Sequence, residues 1–354
     1  MRAMSRAIII IVMLNCFSIS CNDEKILVKN EKEEPRFRVQ KGGRWGYIDR
    51  SGKIVIPFKY GVAFEFADGR AVVEIKEKYG IIDTAGKWVR KPGNEAAVAY
   101  SESMAAVEVG GMSPYINGKW GYLGKNGKIA IPPKYEWAND FSEGLASVNV
   151  GGNWVSKTLM GGKWGYLDKH GTMIIPAQFD NAGEFSEGFA AVSIGTKFGY
   201  IDHQGQMVIQ PAFDDAGKFS GGLAPAKAQG GAWGYINSSG AWIIQPAFGY
   251  ANMFSEGMAL VNMAEGLGFV DTSGRMVVPA RYSNAAEFSN GLAPVQVGGP
   301  GDGKWGYIDK TGAMVIPLSF EWAYPFQDGL ALVTIDGKEG YIDTSGKYIW
   351  QPTE

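Results

Sequence analysis

The chain has 354 residues, 45% of them hydrophobic and 20% charged, which is enough apolar sequence to bury a sizeable core and excludes wholesale disorder. A formal net charge of −2, a pI near 5.9 and the absence of any basic block argue against nucleic acid as a partner. The two cysteines, Cys16 and Cys21, both precede the main body, so that body has no disulfide framework, no thiolate nucleophile and no thiolate metal site.

The first element in chain order is "MRAMSRAIIIIVMLNCFSISC". Arg2 and Arg6 are followed by an apolar run from Ala7 to Phe17, too short to span a bilayer and of the length of a secretory h-region. Small residues, Ser18 and Ser20, then lead to Cys21. The run "SISC" followed by "NDE" resembles a bacterial lipoprotein signal. That resemblance implies cleavage after residue 20, a lipidated Cys21 and attachment to the cell envelope. Ser18 stands where the family has leucine. Cys16 follows Asn15, a large residue for that position. Asn22-Asp23-Glu24 resemble the export signal of some outer-membrane lipoproteins, which implies an outer-membrane address on its periplasmic or surface face. Residues 21–36, rich in charge, read as a tether. Fifteen residues of coil reach about 20 Å.

From residue 37 the chain repeats itself. An x-Gly pair opens each unit, with its glycine at 46, 80, 121, 165, 199, 234, 268, 306 and 340, and a second glycine follows six residues later every time. The base spacing is 34 residues, and three gaps carry insertions. Two glycines and a proline per unit would break the helices of a helical repeat. Short β-rich runs bounded by turn residues predict three strands instead: the "GLAxV" type, "WGYID" and "xxVIP". Asp-x-x-Gly joins the last two, with its Asp capping the turn and its Gly taking a left-handed conformation. The Gly of Trp-Gly is expected at a bulge or close backbone approach. Phe179, Ala182 and Phe185, spaced i, i+3, i+6, predict a helical turn or irregular crossover with its aromatics facing inward. "FRVQ" at residues 37–40 serves as the first strand of unit one, and "YIWQP" ends unit nine.

The pattern K-W-G-Y-I-D-x-x-G-x-x-V-I-P, then F-x-x-A-x-x-F-S-E-G-L-A-x-V, resembles the bacterial WG (or KWG) repeat over about residues 37–352. The resemblance implies a repeat architecture common in secreted and envelope proteins and brings no shared enzymatic activity. The fold class expected is all-β: nine three-stranded antiparallel meanders stacked into an elongated, superhelical array. A closed β-propeller-like ring is the alternative, disfavoured because propeller blades usually carry four strands.

Candidate chemistry is sparse. His170 and His203 sit in Asp-x-x-Gly turns and read as exposed filler. The Asp column, including Asp49, Asp168, Asp271 and Asp309, reads as turn caps. No catalytic residue, metal site or cofactor is expected, and the chain is read as a non-enzyme. Aromatics off the repeat are more informative. Tyr115 lies in the insertion "GGMSPYINGK", and Trp154, Leu159 and Met160 lie in "GGNWVSKTLMGG". A third insertion, "GGPGDG", precedes unit eight. Trp137 and Trp322 share one column of the crossover, where Asp180, Asp214, Tyr250 and Asn284 stand elsewhere. These six residues form the candidate ligand site for an unknown protein or glycan. The functions weighed are an envelope binding or scaffold lipoprotein, a carbohydrate-processing accessory or enzyme with aromatic platforms, and a purely structural spacer.

Overall fold

The computed structural model describes residues 34–93, 96–111, 118–155, 158–299 and 303–352, and Cys16, Cys21 and Tyr115 lie outside that set. Every regular element among the described residues is a strand. The strands form nine consecutive antiparallel sheets, or blades, over residues 37–60, 62–93, 96–135, 137–179, 181–213, 215–248, 250–282, 284–320 and 322–350. Among the described residues blade one has three strands and the others have four, with a separate hairpin, Asn153–Val155 with Thr158–Met160, inserted into blade four.

Blade five shows the pattern. Its second strand, Ala190–Ile194, and third strand, Lys197–Ile201, are nearly all buried, because each is covered by a neighbouring blade on both faces. The fourth strand, Met207–Phe213, alternates, with Ile209 and Phe213 inward and Val208 outward, as an outer strand must. The three strands read from sequence are therefore present. The expected helical turn is not. In its place Asn181–Ala182 forms a two-residue first strand paired with Ser193 and Val192. The aromatics of the crossover do face inward, since Phe179, Ala182 and Phe185 are all buried.

The array closes on itself. Phe37, Val39 and Ile48 of blade one share a core with Leu330 and Tyr341 of blade nine. Phe58 meets Trp350 at 6.0 Å. Arg50 lies 3.9 Å from Asp328. This molecule is thus a nine-bladed β-propeller, the ring that sequence reading ranked second, and the elongated superhelix is corrected. The objection from strand number fails because blades two to nine each carry a further, innermost strand, two residues long in six of them and six residues long in blades three and seven.

The repeated motif turns out to be the set of joints between blades. The buried Tyr of "WGY" donates its hydroxyl to a carbonyl in or just after the next blade's first strand in six blades, as in Tyr166 to Gly183 and Tyr200 to Gly217, at 2.6–2.9 Å. The same ring meets the next blade's Phe edge-on, as in Tyr122–Phe141 at 4.8 Å and Tyr166–Phe185 at 5.0 Å. The Ser of "FSEG" donates its hydroxyl to the Phe carbonyl of the following blade, from Ser101 to Phe141 and onward through Ser289 to Phe326, at 2.5–2.7 Å. These bonds run from one first strand to the next, so the first strands ring the axis. The Glu of "SEG" accepts from a backbone N–H of the following blade: Glu102 from Gly144, Glu143 from Gly188, Glu256 from Gly291. A charge-assisted bond of this kind is stronger than a neutral one.

Blade one closes the ring differently. In blades two to nine the second strand carries an alanine at one column: Ala71, Ala105, Ala146, Ala190, Ala224, Ala259, Ala293 and Ala331. Blade one has Phe37 there. Its ring meets Tyr341 edge-on at 5.5 Å, filling the place that a first-strand Phe fills elsewhere.

Candidate functional site

The Asp-x-x-Gly turns are structural, as their chemistry suggests. Asp168 Oδ1 accepts from the backbone N–H groups of His170 and Thr172, and Asp271 Oδ1 accepts from Ser273 and Arg275. The Ser273 hydroxyl, foremost among several donors, lowers Asp271 to about 2. The histidines are not filler of one kind. His203 occupies the first x of its turn and His170 the second, so they are not equivalent. His203 stacks on Phe185 at 4.4 Å, and its Nε2 lies 3.2 Å from Glu143 of the preceding blade. Lys169 meets Glu102, Lys310 meets Glu256 and Arg50 meets Asp328 from the same position. The signal that sequence reading missed is this charge pairing. A basic residue at the first x goes with an acid in the "SEG" column one blade earlier.

The candidate aromatics divide into two groups. Around blade four, Trp120, Trp137 and Trp154 form a run of indoles, with ring centres 4.8 Å and 5.7 Å apart. Trp120 is buried, while Trp137 is half-buried and donates its Nε1–H to Asn139 at 2.8 Å. Trp154 is half-buried, and its Nε1 has no hydrogen-bond partner among the described residues. Within the hairpin, Trp154 pairs with Leu159. Leu159 is half-buried, whereas Met160 and Val155 are exposed at 56% and 57%. Val155, which sequence reading passed over, shares that exposure. At the other site Trp322, 55% exposed, stacks on buried Trp305 at 5.8 Å. Trp137 and Trp322 are thus equivalent, each lying on the Trp of the preceding unit. Strand register places Asn181 and Asp215 in their column, rather than Asp180 and Asp214.

The three insertions all lie between second and third strands, so they emerge on one face of the ring, the face where each fourth strand passes to the next blade. The second of them, residues 151–162, projects the hairpin that carries Trp154. Residues 112–117 and 300–302 of the others fall outside the described set, and Tyr115 with them.

Two further features stand apart from the aromatics. Asp140, Glu184 and Lys218 share one column just past the ends of consecutive first strands. Burial, reinforced by Glu184, raises Asp140 above the ordinary carboxylate range, while Lys218 pulls it back. Lys218 and Glu184 form an ion pair. A groove of about 550 Å³ between blades six and seven is lined by Ile244, Phe248, Met263, Met276 and Pro279. Among the described residues no group of three or more His, Cys, Asp or Glu side chains is arranged to hold a metal.

A solved structure described as a eukaryotic initiation factor matches with a TM-score of 0.64 at 12% identity, covering 89% of this chain and 94% of that one. At that identity the likeness shows the fold alone. The C-terminal WD40 domain of Sif2 matches at 9% identity, covering 80% of this chain and 97% of that one, with a TM-score of 0.44. BamB from Moraxella catarrhalis matches at 12% identity, covering 75% and 88%, with a TM-score of 0.43. No curated protein matches the chain. The model of the WG containing repeat matches residues 45–79, 79–112, 120–154, 164–197, 198–231, 233–265, 268–299 and 305–338. With its motif columns forming joints between blades and its repeats covering most of the sequence, the chain belongs to the WG-repeat family.

Proposed function

We propose that this propeller is a non-enzymatic binding or scaffold protein, anchored to the bacterial envelope through a lipid on Cys21. It holds a protein or glycan partner on the face that carries the insertions. The repeat propeller fold itself suggests a scaffold or binding role. The observation that carries the finer reading is the pair of indole stacks, Trp120–Trp137–Trp154 and Trp305–Trp322. Flat rings backed by a second buried ring are rigid and offer large apolar area at little entropic cost, which suits a sugar face or an aromatic side chain. Met160 and Val155 extend one platform with exposed apolar surface.

The test is capture of envelope glycans and envelope proteins by wild type and by Trp137→Ala/Trp322→Ala. Capture lost in the variant, with unchanged melting, supports the reading; capture retained by the variant contradicts it. Acyl labelling of Cys21→Ala tests the anchor. Equal label in wild type and variant removes Cys21, and loss only in Cys16→Ala moves the site.

A second reading, a carbohydrate-processing accessory or enzyme, draws support from Asp140 and Glu184. Burial raises Asp140, and two neighbouring carboxyl groups are the pairing that glycosidic hydrolysis uses. Hydrolysis of a glycan captured above, abolished by Asp140→Asn, would favour that reading. Equal turnover by wild type and variant would remove it.

A further inference from the structure

The two indole platforms are copies of one another that differ in how their polar groups are engaged. In both, a tryptophan at the start of a first strand lies on the Trp of the preceding blade, Trp137 on Trp120 and Trp322 on Trp305. At blade four the surroundings are closed. Trp137 donates its Nε1–H to Asn139, Trp154 packs against its ring, and Lys119 bridges to Glu136 at 2.8 Å. The same bridge closes the next two joints, from Lys163 to Asp180 at 2.6 Å and from Lys197 to Asp214.

At blade nine these groups are left open among the described residues. Tyr324 stands where blade four has Asn139, and the Trp322 indole makes no hydrogen bond. No second ring covers Trp322, which is 55% exposed. Lys304 and Glu321 hold the positions of Lys119 and Glu136 but form no ion pair. Glu321 engages only Oε2, which accepts from the N–H of Gly337. Beneath the stack, Trp305 is 4% exposed, and its Nε1–H has no hydrogen-bond partner. A buried donor left unpaired carries the desolvation cost of the group, so it calls for an acceptor that the folded chain does not supply.

These groups specify a ligand. One acceptor, Glu321 Oε1, and two donors, Lys304 Nζ and Trp305 Nε1–H, belong to the same joint as the exposed ring. Sugar hydroxyls both donate and accept, so one vicinal diol can answer all three. A pyranose with equatorial hydroxyls also presents its C–H groups as an apolar face, which suits a flat indole. Charge argues for a neutral sugar, since Glu321 repels an anion as Lys304 repels a cation. An aromatic side chain would stack equally well but leave the carboxylate, the ammonium and the N–H unanswered.

We propose that the blade nine platform is the seat of a neutral glycan built of equatorially substituted pyranoses. This rests on the reading that the indole platforms hold a partner, and it names that partner's chemistry and the platform it uses. One sugar ring lies on Trp322, its hydroxyls bridge Lys304 and Glu321, and one of its oxygens accepts from Trp305. The Trp322 ring is held by ring contact alone, so a rotation of its side chain uncovers the Trp305 N–H without breaking a hydrogen bond.

The probe is cellotetraose, a neutral chain of such pyranoses, titrated calorimetrically into the full chain. Saturable binding is expected. Trp322→Ala should weaken it roughly tenfold or more, as for a truncated aromatic anchor. Trp305→Phe should weaken it about fivefold, the effect of one hydrogen bond. Its melting should be unchanged, because Phe198 already fills this column in blade five. If that variant melts lower, the indole N–H resonance of Trp305 in the wild type decides instead, and it should move downfield on saturation. Absence of binding, binding indifferent to Trp322→Ala, or a Trp305 resonance that stays in place would overturn the proposal. Envelope material captured by wild type and lost in Trp137→Ala/Trp322→Ala, with cellotetraose inert, would overturn it while leaving the binding reading intact. Capture that survives in the double variant, with cellotetraose inert, would remove both.

Discussion

At Gly165 the repeat has no room for a side chain. A Cβ there would lie 2.6 Å from the carbonyl oxygen of Ile175, because the fourth strand bulges inward over the Trp-Gly pair. Gly165→Ala should therefore cost about 1–3 kcal/mol through forced backbone shift. Thermal unfolding checks this, and an unchanged melting temperature would show that the strand can yield. The acids of the molecule divide by sign. Asp49, Asp271, Asp309 and Asp343 are held below the ordinary range, mainly by a Ser or Thr hydroxyl. Their contribution is complete above the unfolded value near 3.8 and is lost as pH falls through the folded one, about 2 for Asp271. Asp140 is raised, so it favours the folded state only when protonated and opposes it once ionised. Asp140→Asn should raise the melting temperature at pH 7, and the gain should vanish at pH values below its unfolded range. A loss of stability at pH 7 would mean that the carboxylate is needed by a partner such as Lys218.

At the scale of elements, joints between blades hold the ring, and one inserted hairpin stands on its rim. Ser186 donates across a joint to Phe219, so Ser186→Ala should cost about 1 kcal/mol, the usual net value of such a bond. The hairpin is different. Trp154 rests on Trp137 at the rim, outside the blade core, so Trp154→Ala should leave melting nearly unchanged. Capture of a ligand at this platform should fall roughly ten- to thirtyfold, the loss expected for a truncated anchor. A lowered melting temperature with capture intact would make Trp154 a lid on Trp137. Much of this scale was legible in the sequence. The three longer strands, the Asp-capped turns and the crowded Gly follow from alternation, turn chemistry and recurrence. The first strand was not legible, since Asn181–Ala182 is too short to show a period of two. The role of "FSEG" was hidden too, because its Ser and Glu bond to the next copy of the repeat, about one period away. The indole stacks were foreseen only as single residues. That Trp137 and Trp322 lie on Trp120 and Trp305 depends on a contact between adjacent blades.

At the scale of the whole molecule the question is closure. A period of 34 residues implies identical joints but not how far each one turns, so rod and ring share the same pattern. The trace of closure in the sequence is Phe37, a large ring in a column where the other eight blades carry alanine. Phe37→Ala should remove the contact with Tyr341 and cost about 3–5 kcal/mol, as for other buried Phe truncations. A chain shortened by blades eight and nine should lose this seam and fail to unfold as one cooperative unit, whereas an open array would survive as a shorter folded protein. Small-angle X-ray scattering of residues 34–354 tests closure most directly. The ring requires a radius of gyration of about 20 Å, the value for a compact domain of this length, with a symmetric pair-distance distribution. A clearly larger radius, with the long tail of a rod in that distribution, would contradict it.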